Sequence, residues 1–178
     1  MPQSLASILV HLIYSTKNRE PFITPEIESE LHPYLASVFR AMECPSIIIN
    51  GTADHVHSLF RLARTVALCD VVEEVKKRSS KWIKTKGPEF AAFQWQAGYG
   101  AFSIGESGVP AVKQYIAGQK EHHKTKTFQD ELRTFLKKYG VEYDEQYEVR
   151  PWRWTGTLVY TGQTRETYHA THATFFSR

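Results

Sequence analysis

Cysteine is scarce in this chain. Only Cys44 and Cys69 occur among 178 residues, too few for a disulfide framework or a cysteine-ligated zinc site. An excess of charge of one sign is lacking too: 22 Lys+Arg stand against 19 Asp+Glu, a formal net charge of +3. Any anionic partner therefore has to be argued from local clusters rather than from the total. Long apolar runs are missing as well. The opening MPQSLASILVHLIYSTKNRE has no basic segment ahead of its apolar stretch, which is interrupted by His11, Tyr14 and Ser15. Neither a signal peptide nor a membrane span is expected, and a reducing cytoplasm is the expected setting. Internal repeats and low-complexity segments are absent before residue 140. What remains is the composition of an ordered globular chain, 42% hydrophobic and 23% charged, long enough to bury a core.

Residues 5–14 form a near-continuous apolar run that reads as a buried strand. Thr24-Pro25-Glu26-Ile27 combines a cap, a proline at the first helical position and an early acid, so a helix is predicted from there. Ile27, Leu31, Tyr34, Leu35, Val38 and Met42 keep helical spacing up to Cys44-Pro45. The β-branched run 46–49 and the alternating run 54–62 flank Asn50-Gly51, a hairpin signal. Leu68, Val71, Val72, Val75, Ser79 and Trp82 mark a second amphipathic helix ended by Gly87-Pro88. A strand over 99–104, a third helix over 109–123 and a fourth over 128–139 complete the order. The sequence β-α-β-β-α-β followed by helices predicts an α+β, ferredoxin-like (split βαβ) fold. One antiparallel sheet carries packed helices and an added C-terminal helix. Residues 1–140 are expected to form this domain and 141–178 a C-terminal tail, where the pattern dissolves. In that tail Trp152 and Trp154, interleaved with Arg150 and Arg153, offer faces for stacking bases, against the plainer reading of a loosely docked terminus.

Two places carry chemistry. His55-Val56-His57 lies in the second hairpin strand, where alternation sends His55, His57, Leu59 and Arg61 to one face and Val56, Phe60 and Leu62 to the other. Two imidazoles one pleat apart suit a shared metal ion, although a lone His-x-His is also common as an exposed or hydrogen-bonded pair. On the third helix, Val112, Tyr115, Ile116, Gln119 and His123 share one face. Gln119 is a poor residue for a buried stripe unless its amide has a partner, and Tyr115 lies one turn before it. The plain alternative leaves Tyr115 at the rim and Gln119 at the surface.

Together these features resemble the single-tyrosine HUH transposases of the smallest insertion sequences, the IS-two-hundred type. HVH at His55 to His57 is followed by YIAGQ at Tyr115 to Gln119, and VHLIYSTKNREP, KKRSSKWI and FQWQAGYGAFSIG match in character. The likeness covers roughly residues 5–145. It implies a ferredoxin-like fold, a divalent cation held by His55, His57 and Gln119, and Tyr115 as the nucleophile that forms a 5′-phosphotyrosine. It also implies Mg²⁺ or Mn²⁺, whereas ligand softness alone would favour zinc or nickel. The implied substrate is single-stranded DNA with imperfect hairpins at element ends. The implied assembly is a homodimer whose active sites are shared, Tyr115 and Gln119 of one subunit completing the histidine pair of the other. Gly118 departs from the pattern, since a mid-helix glycine costs about 1 kcal/mol relative to alanine.

Lys76, Lys77, Arg78, Lys81, Lys84 and Lys86 crowd the second helix and its exit, with no acid between Val75 and Pro88. Lys76, Lys77, Arg78 and Lys81, with Lys17 and Arg19 after the first strand, are the candidates for phosphate contact. Asp54 reads as a turn residue or as an orienter of His55, and His122 and His123 as a solvated helix end or as further ligands. Two other functions compete: a replication initiator or relaxase using the same tyrosine chemistry, and a non-catalytic single-strand-binding module on the same sheet.

Overall fold

Thr24 starts the first helix as its sequence predicts: the hydroxyl accepts from the Ile27 backbone N–H at 3.4 Å and Pro25 fills the first turn. In the computed structural model, which describes residues 5–123 and 127–143, this helix is α1 (Pro25–Ala41). It follows β1 (Leu9–Ser15) and precedes β2 (Ser46–Gly51) and β3 (His55–Arg61). Then come α2 (Leu68–Lys84), β4 (Gly100–Ile104), α3 (Val109–Ala117), α4 (Gln119–His122) and α5 (Phe128–Lys138). The strands form one antiparallel sheet in the order β2-β3-β1-β4. Two βαβ halves interleaved in this way make the ferredoxin-like, α+β plan.

Alternation along β1 and β3 builds two different faces. Val10, Leu12 and Tyr14 join Val56 and Phe60 against Leu31, Leu35 and Phe39 of α1 and Val71 and Val75 of α2, forming the main core. The opposite face carries His11, Ile13, His55 and His57, with Ile13 directly across from His57 and Ser15 from His55. A smaller cluster covers this second face, in which Ile13 and Phe102 meet Phe128, Leu132, Phe135 and Leu136 of α5. The added C-terminal helix is thus what closes the histidine face.

Three boundaries differ from the sequence reading. The first strand begins at Leu9, since 5–8 pair with no strand and Leu5 is exposed. The hairpin exists, but Asn50-Gly51 is not its turn: Asn50 pairs with His57 inside the ladder, and Thr52-Ala53-Asp54 form the loop. Gly51 is needed for a different reason, because a Cβ there would collide with the His55 carbonyl. The helix predicted over 109–123 breaks at Gly118, between α3 and α4. The tail, with Trp152 and Trp154, lies outside the described residues. No helix among the described residues is long and apolar enough to cross a membrane.

Candidate metal and tyrosine site

β3 delivers His55 and His57 to the covered face, 1% and 0% exposed, with ring centroids 5.1 Å apart. Each ring is oriented through its Nδ1 atom. His55 Nδ1 lies 2.7 Å from Asp54 Oδ1 and 2.8 Å from Thr52 Oγ1. Asp54 is itself held by Arg19, whose Nη2 donates to it at 2.8 Å, and by the Thr52 hydroxyl. Burial would raise the Asp54 carboxyl, but hydrogen bonds from His55, Arg19 and Thr52 outweigh it and hold the acid well below the ordinary range. A charged Asp54 fixes the N–H of His55 on Nδ1 and leaves the Nε2 lone pair bare. His57 Nδ1 is 3.0 Å from His11 Nε2. The tautomer that donates from His57 to His11 bares His57 Nε2 in the same way. Both Nε2 atoms are buried and lack a hydrogen-bond partner among the described residues. Burial, then the nearby His55 and His11, push His57 well below its ordinary pKa, so it stays neutral. Burial, with Lys138, brings His11 down to about 4.

Gln119 is 0% exposed. It begins α4 directly after the break at Gly118, so the break settles how it faces the sheet. Its Nε2 donates to Glu131 Oε1 at 3.1 Å, while its Oε1 is a third buried atom without a hydrogen-bond partner among the described residues. Tyr115, on α3, meets His57 and His11 edge-on at ring distances of 5.9 and 6.1 Å and Phe135 of α5 at 5.4 Å. Its hydroxyl is buried and has no hydrogen-bond partner among the described residues. α3 is tied to this position by Asn50, whose side-chain amide donates to the Ile116 and Ala117 carbonyls at 2.8 and 3.1 Å. Tyr115 therefore stands beside the histidines of its own chain, and Gln119 is linked to His57 through Glu131.

Sequence reasoning missed Glu131. It sits 2% exposed on α5, with Oε2 3.1 Å from His123 Nε2 and 3.5 Å from His57 Nε2. Burial, with the charge of Asp54, pushes its carboxyl up to about 8. The signal was present: Glu131 lies on the same helical stripe as Phe128, Leu132 and Phe135, where an unpartnered acid is costly. Ligand atoms of His55, His57, His123 and Glu131 all lie within 4.8 Å of one another. Unpartnered imidazole nitrogens beside a buried carboxylate fit a divalent cation.

The basic candidates separate into four settings. Arg19 belongs to the site, paired with Asp54 and resting 5.3 Å from the Phe128 ring centroid. Lys17 is bonded to Gln94 Oε1 at 3.0 Å. Lys77, Arg78 and Lys81 line the outer side of α2, the first two paired with Glu74 at 3.1 and 2.7 Å. This helix packs on the sheet face opposite the histidines, not beside them. Lys76 turns inward. Its ammonium bonds the carbonyls of Gln96, Ala97 and Gly98 and lies over the Tyr14 ring, and burial brings its pKa down to about 8. It is thus withdrawn from the exposed basic surface.

Residues 4–119 match a protein family described as Transposase IS200 like. Among solved structures, the chain is similar to a proposed transposase from Deinococcus radiodurans, with 21% identity, 67% of this chain and 98% of that chain covered, and a TM-score of 0.53. It is also similar to a REP-associated tyrosine transposase bound to a REP hairpin, with 14% identity, coverages of 89% and 99%, and a TM-score of 0.53. At these identities the likeness is one of fold. No curated protein matches the chain.

Proposed function

The chain belongs to the family of IS200-like transposases, and on that premise we propose that it cleaves and rejoins single-stranded DNA through Tyr115 beside a divalent cation. The observation that carries the reading is that His55 Nε2, His57 Nε2 and Gln119 Oε1 are all buried and without a hydrogen-bond partner among the described residues, with the Tyr115 ring 5.9 Å from that of His57. Leaving such atoms unsatisfied is costly unless a ligand completes them. His55, His57 and Gln119 would hold the ion. When bound, it neutralises charge on a scissile phosphate and keeps that phosphate oriented.

The protein's own groups do the rest. The Tyr115 oxygen attacks phosphorus, the bond to the 3′ oxygen breaks, and the phenolic proton is lost as the departing oxygen gains one. The products are a 5′-phosphotyrosine ester and a free 3′-hydroxyl. Because an ester retains the energy of the phosphodiester, a second 3′-hydroxyl can attack it and restore a continuous strand without a nucleotide cofactor. Asp54 and His11 keep the two ligating imidazoles aimed through their Nδ1 atoms, and the phenol packs against the rings of Phe135 and His57. A substrate with hairpins at its ends is in keeping with the hairpin-bound relative. Mobilising an element requires two ends to be joined, which a homodimer supplies, each subunit bringing one tyrosine.

Labelled single-stranded DNA from the flanking genomic locus, incubated with divalent ions, should yield a covalent adduct of this protein. The adduct should vanish in Tyr115→Phe while DNA binding persists. Adduct at the wild-type level in that variant would overturn the assignment of Tyr115, and binding without any adduct in the wild type would favour a non-catalytic module.

A further inference from the structure

The metal site of the proposed function leaves His123 and Glu131 unassigned, and its geometry does not. We propose that both are ligands to the same ion, so that the residue capping α4 and a residue of α5 contribute a third imidazole and a carboxylate and bias the site toward a transition-type divalent cation rather than Mg²⁺. This inference rests on the reading of His55 and His57 as ligands.

The spacing supports it. Donor atoms about 2 Å from a common ion lie roughly 3–4 Å from each other. Glu131 Oε2 is 3.1 Å from His123 Nε2 and 3.5 Å from His57 Nε2. The ligand atoms of His55, His57, His123 and Glu131 all lie within 4.8 Å of one another, so a small inward shift of the side chains closes them on an ion. Glu131 bridges the group: one oxygen faces His123 and His57, the other accepts from the Gln119 amide. A carboxylate 2% exposed and surrounded by imidazoles is costly in an apolar cluster, and a bound cation removes that cost. The rings are packed for a fixed position as well. His55 lies 4.5 Å from the His123 ring and 4.7 Å from that of Phe128, which begins α5.

Donor chemistry then sets the preference. Mg²⁺ takes oxygen ligands and dehydrates reluctantly, whereas imidazole suits zinc, nickel and their neighbours. With three imidazoles and a carboxylate bound, few positions on the ion would remain for a phosphate oxygen.

Metal affinity of the full chain, measured by calorimetry with Mn²⁺, Zn²⁺ and Mg²⁺ in turn, separates the two readings. The wild type should bind Mn²⁺ and Zn²⁺ well ahead of Mg²⁺. Glu131→Gln and His123→Ala should each weaken Zn²⁺ binding about 10- to 100-fold, an effect of the size seen when support around a metal ligand is removed. Unchanged affinity in both, with binding lost in His55→Ala/His57→Ala, would overturn this inference and leave the smaller site standing. Absence of metal binding by the wild type would overturn both. X-ray absorption on the Zn²⁺-loaded wild type needs no variant to fold: imidazole scattering from three rings is expected, and from two would refute His123 as a ligand.

Discussion

A single acid governs how this site responds to pH. Glu131 is pushed up to about 8 by burial, from an ordinary 4.5, so the folded chain without metal holds a proton there that the unfolded chain releases. Its contribution to stability is complete below about 4.5 and is lost as pH rises through 8. His11, brought down to about 4, and His57, also depressed, act in the opposite sense. Below about 6.5 the unfolded chain protonates these imidazoles while the fold keeps them neutral, so stability falls as acid is added. In the presence of chelator, the melting temperature should therefore rise between pH 8 and about 6.5 and fall below it. Glu131→Gln should remove the rise and keep the fall, and thermal melts across pH would expose a flat wild-type profile as a contradiction. Asp54 acts through His55. Asp54→Ala frees the His55 Nδ1 side and should lower metal affinity about 10- to 100-fold, with Tyr115 untouched. A titration with unchanged affinity would show that Thr52 alone orients the ring.

At the level of elements, the break between α3 and α4 is the feature that sets Gln119. Gly118 has φ −87°, which any residue adopts, and a Cβ there would meet the Gln114 carbonyl oxygen at an ordinary 3.4 Å. Left-handed backbone is not the reason for glycine here. Gly118→Ala should therefore be accepted and should stabilise the chain by up to about 1 kcal/mol, with adduct formation retained. A large loss of stability, read from denaturant unfolding, would mean that the break itself demands glycine. Elements of this kind were legible unevenly. Helix α1 was readable because cap, proline and apolar spacing agree, and the sheet order followed from the order of elements. Asn50-Gly51 misled because a short-range turn signal cannot reveal that Asn50 is used at long range, as the cap on α3. His55, His57, Tyr115 and Gln119 stood out as a spaced motif, and the chain places them together. Glu131 did not, since one acid among the charges of α5 gains meaning only when that helix is seen to cover the histidines.

Across the whole molecule, the sheet separates the basic helix from the tyrosine. Lys77, Arg78 and Lys81 lie outside α2, while the site lies beneath α3 and α5. Replacing the three with Gln should weaken binding of a long hairpin substrate and reduce its salt slope by up to about 2. Adduct formation on a short strand that reaches only the site should be little changed. Equal losses on both substrates would place the phosphate path differently. Lys76→Met is the contrast: it leaves three loop carbonyls without their donor, so it should lower stability by about 1–3 kcal/mol and leave the salt slope alone.

The same scale decides which chain owns an active site. The Gly105 to Gly108 segment before α3 would allow the tyrosine helix to dock on a neighbour's sheet, as the family resemblance implies. In this fold α3 is held to its own β2 by the Asn50 amide, and Tyr115 stands 5.9 Å from its own His57 ring. Gln119 is bonded to Glu131 of the same chain, which in turn faces the same His57. Moving Tyr115 to a partner would first open each of these contacts, including a buried hydrogen bond to a carboxylate, before a neighbour's identical residues could rebuild them. Sites contained within single chains are therefore expected. Mixing Tyr115→Phe with His55→Ala/His57→Ala tests this, once subunit exchange has been verified by an independent label. In each mixed dimer the intact tyrosine and the intact histidines belong to different chains, so no adduct should form. Recovery of adduct would show that α3 crosses to the partner during the reaction, and that the Asn50 cap must open for it to do so.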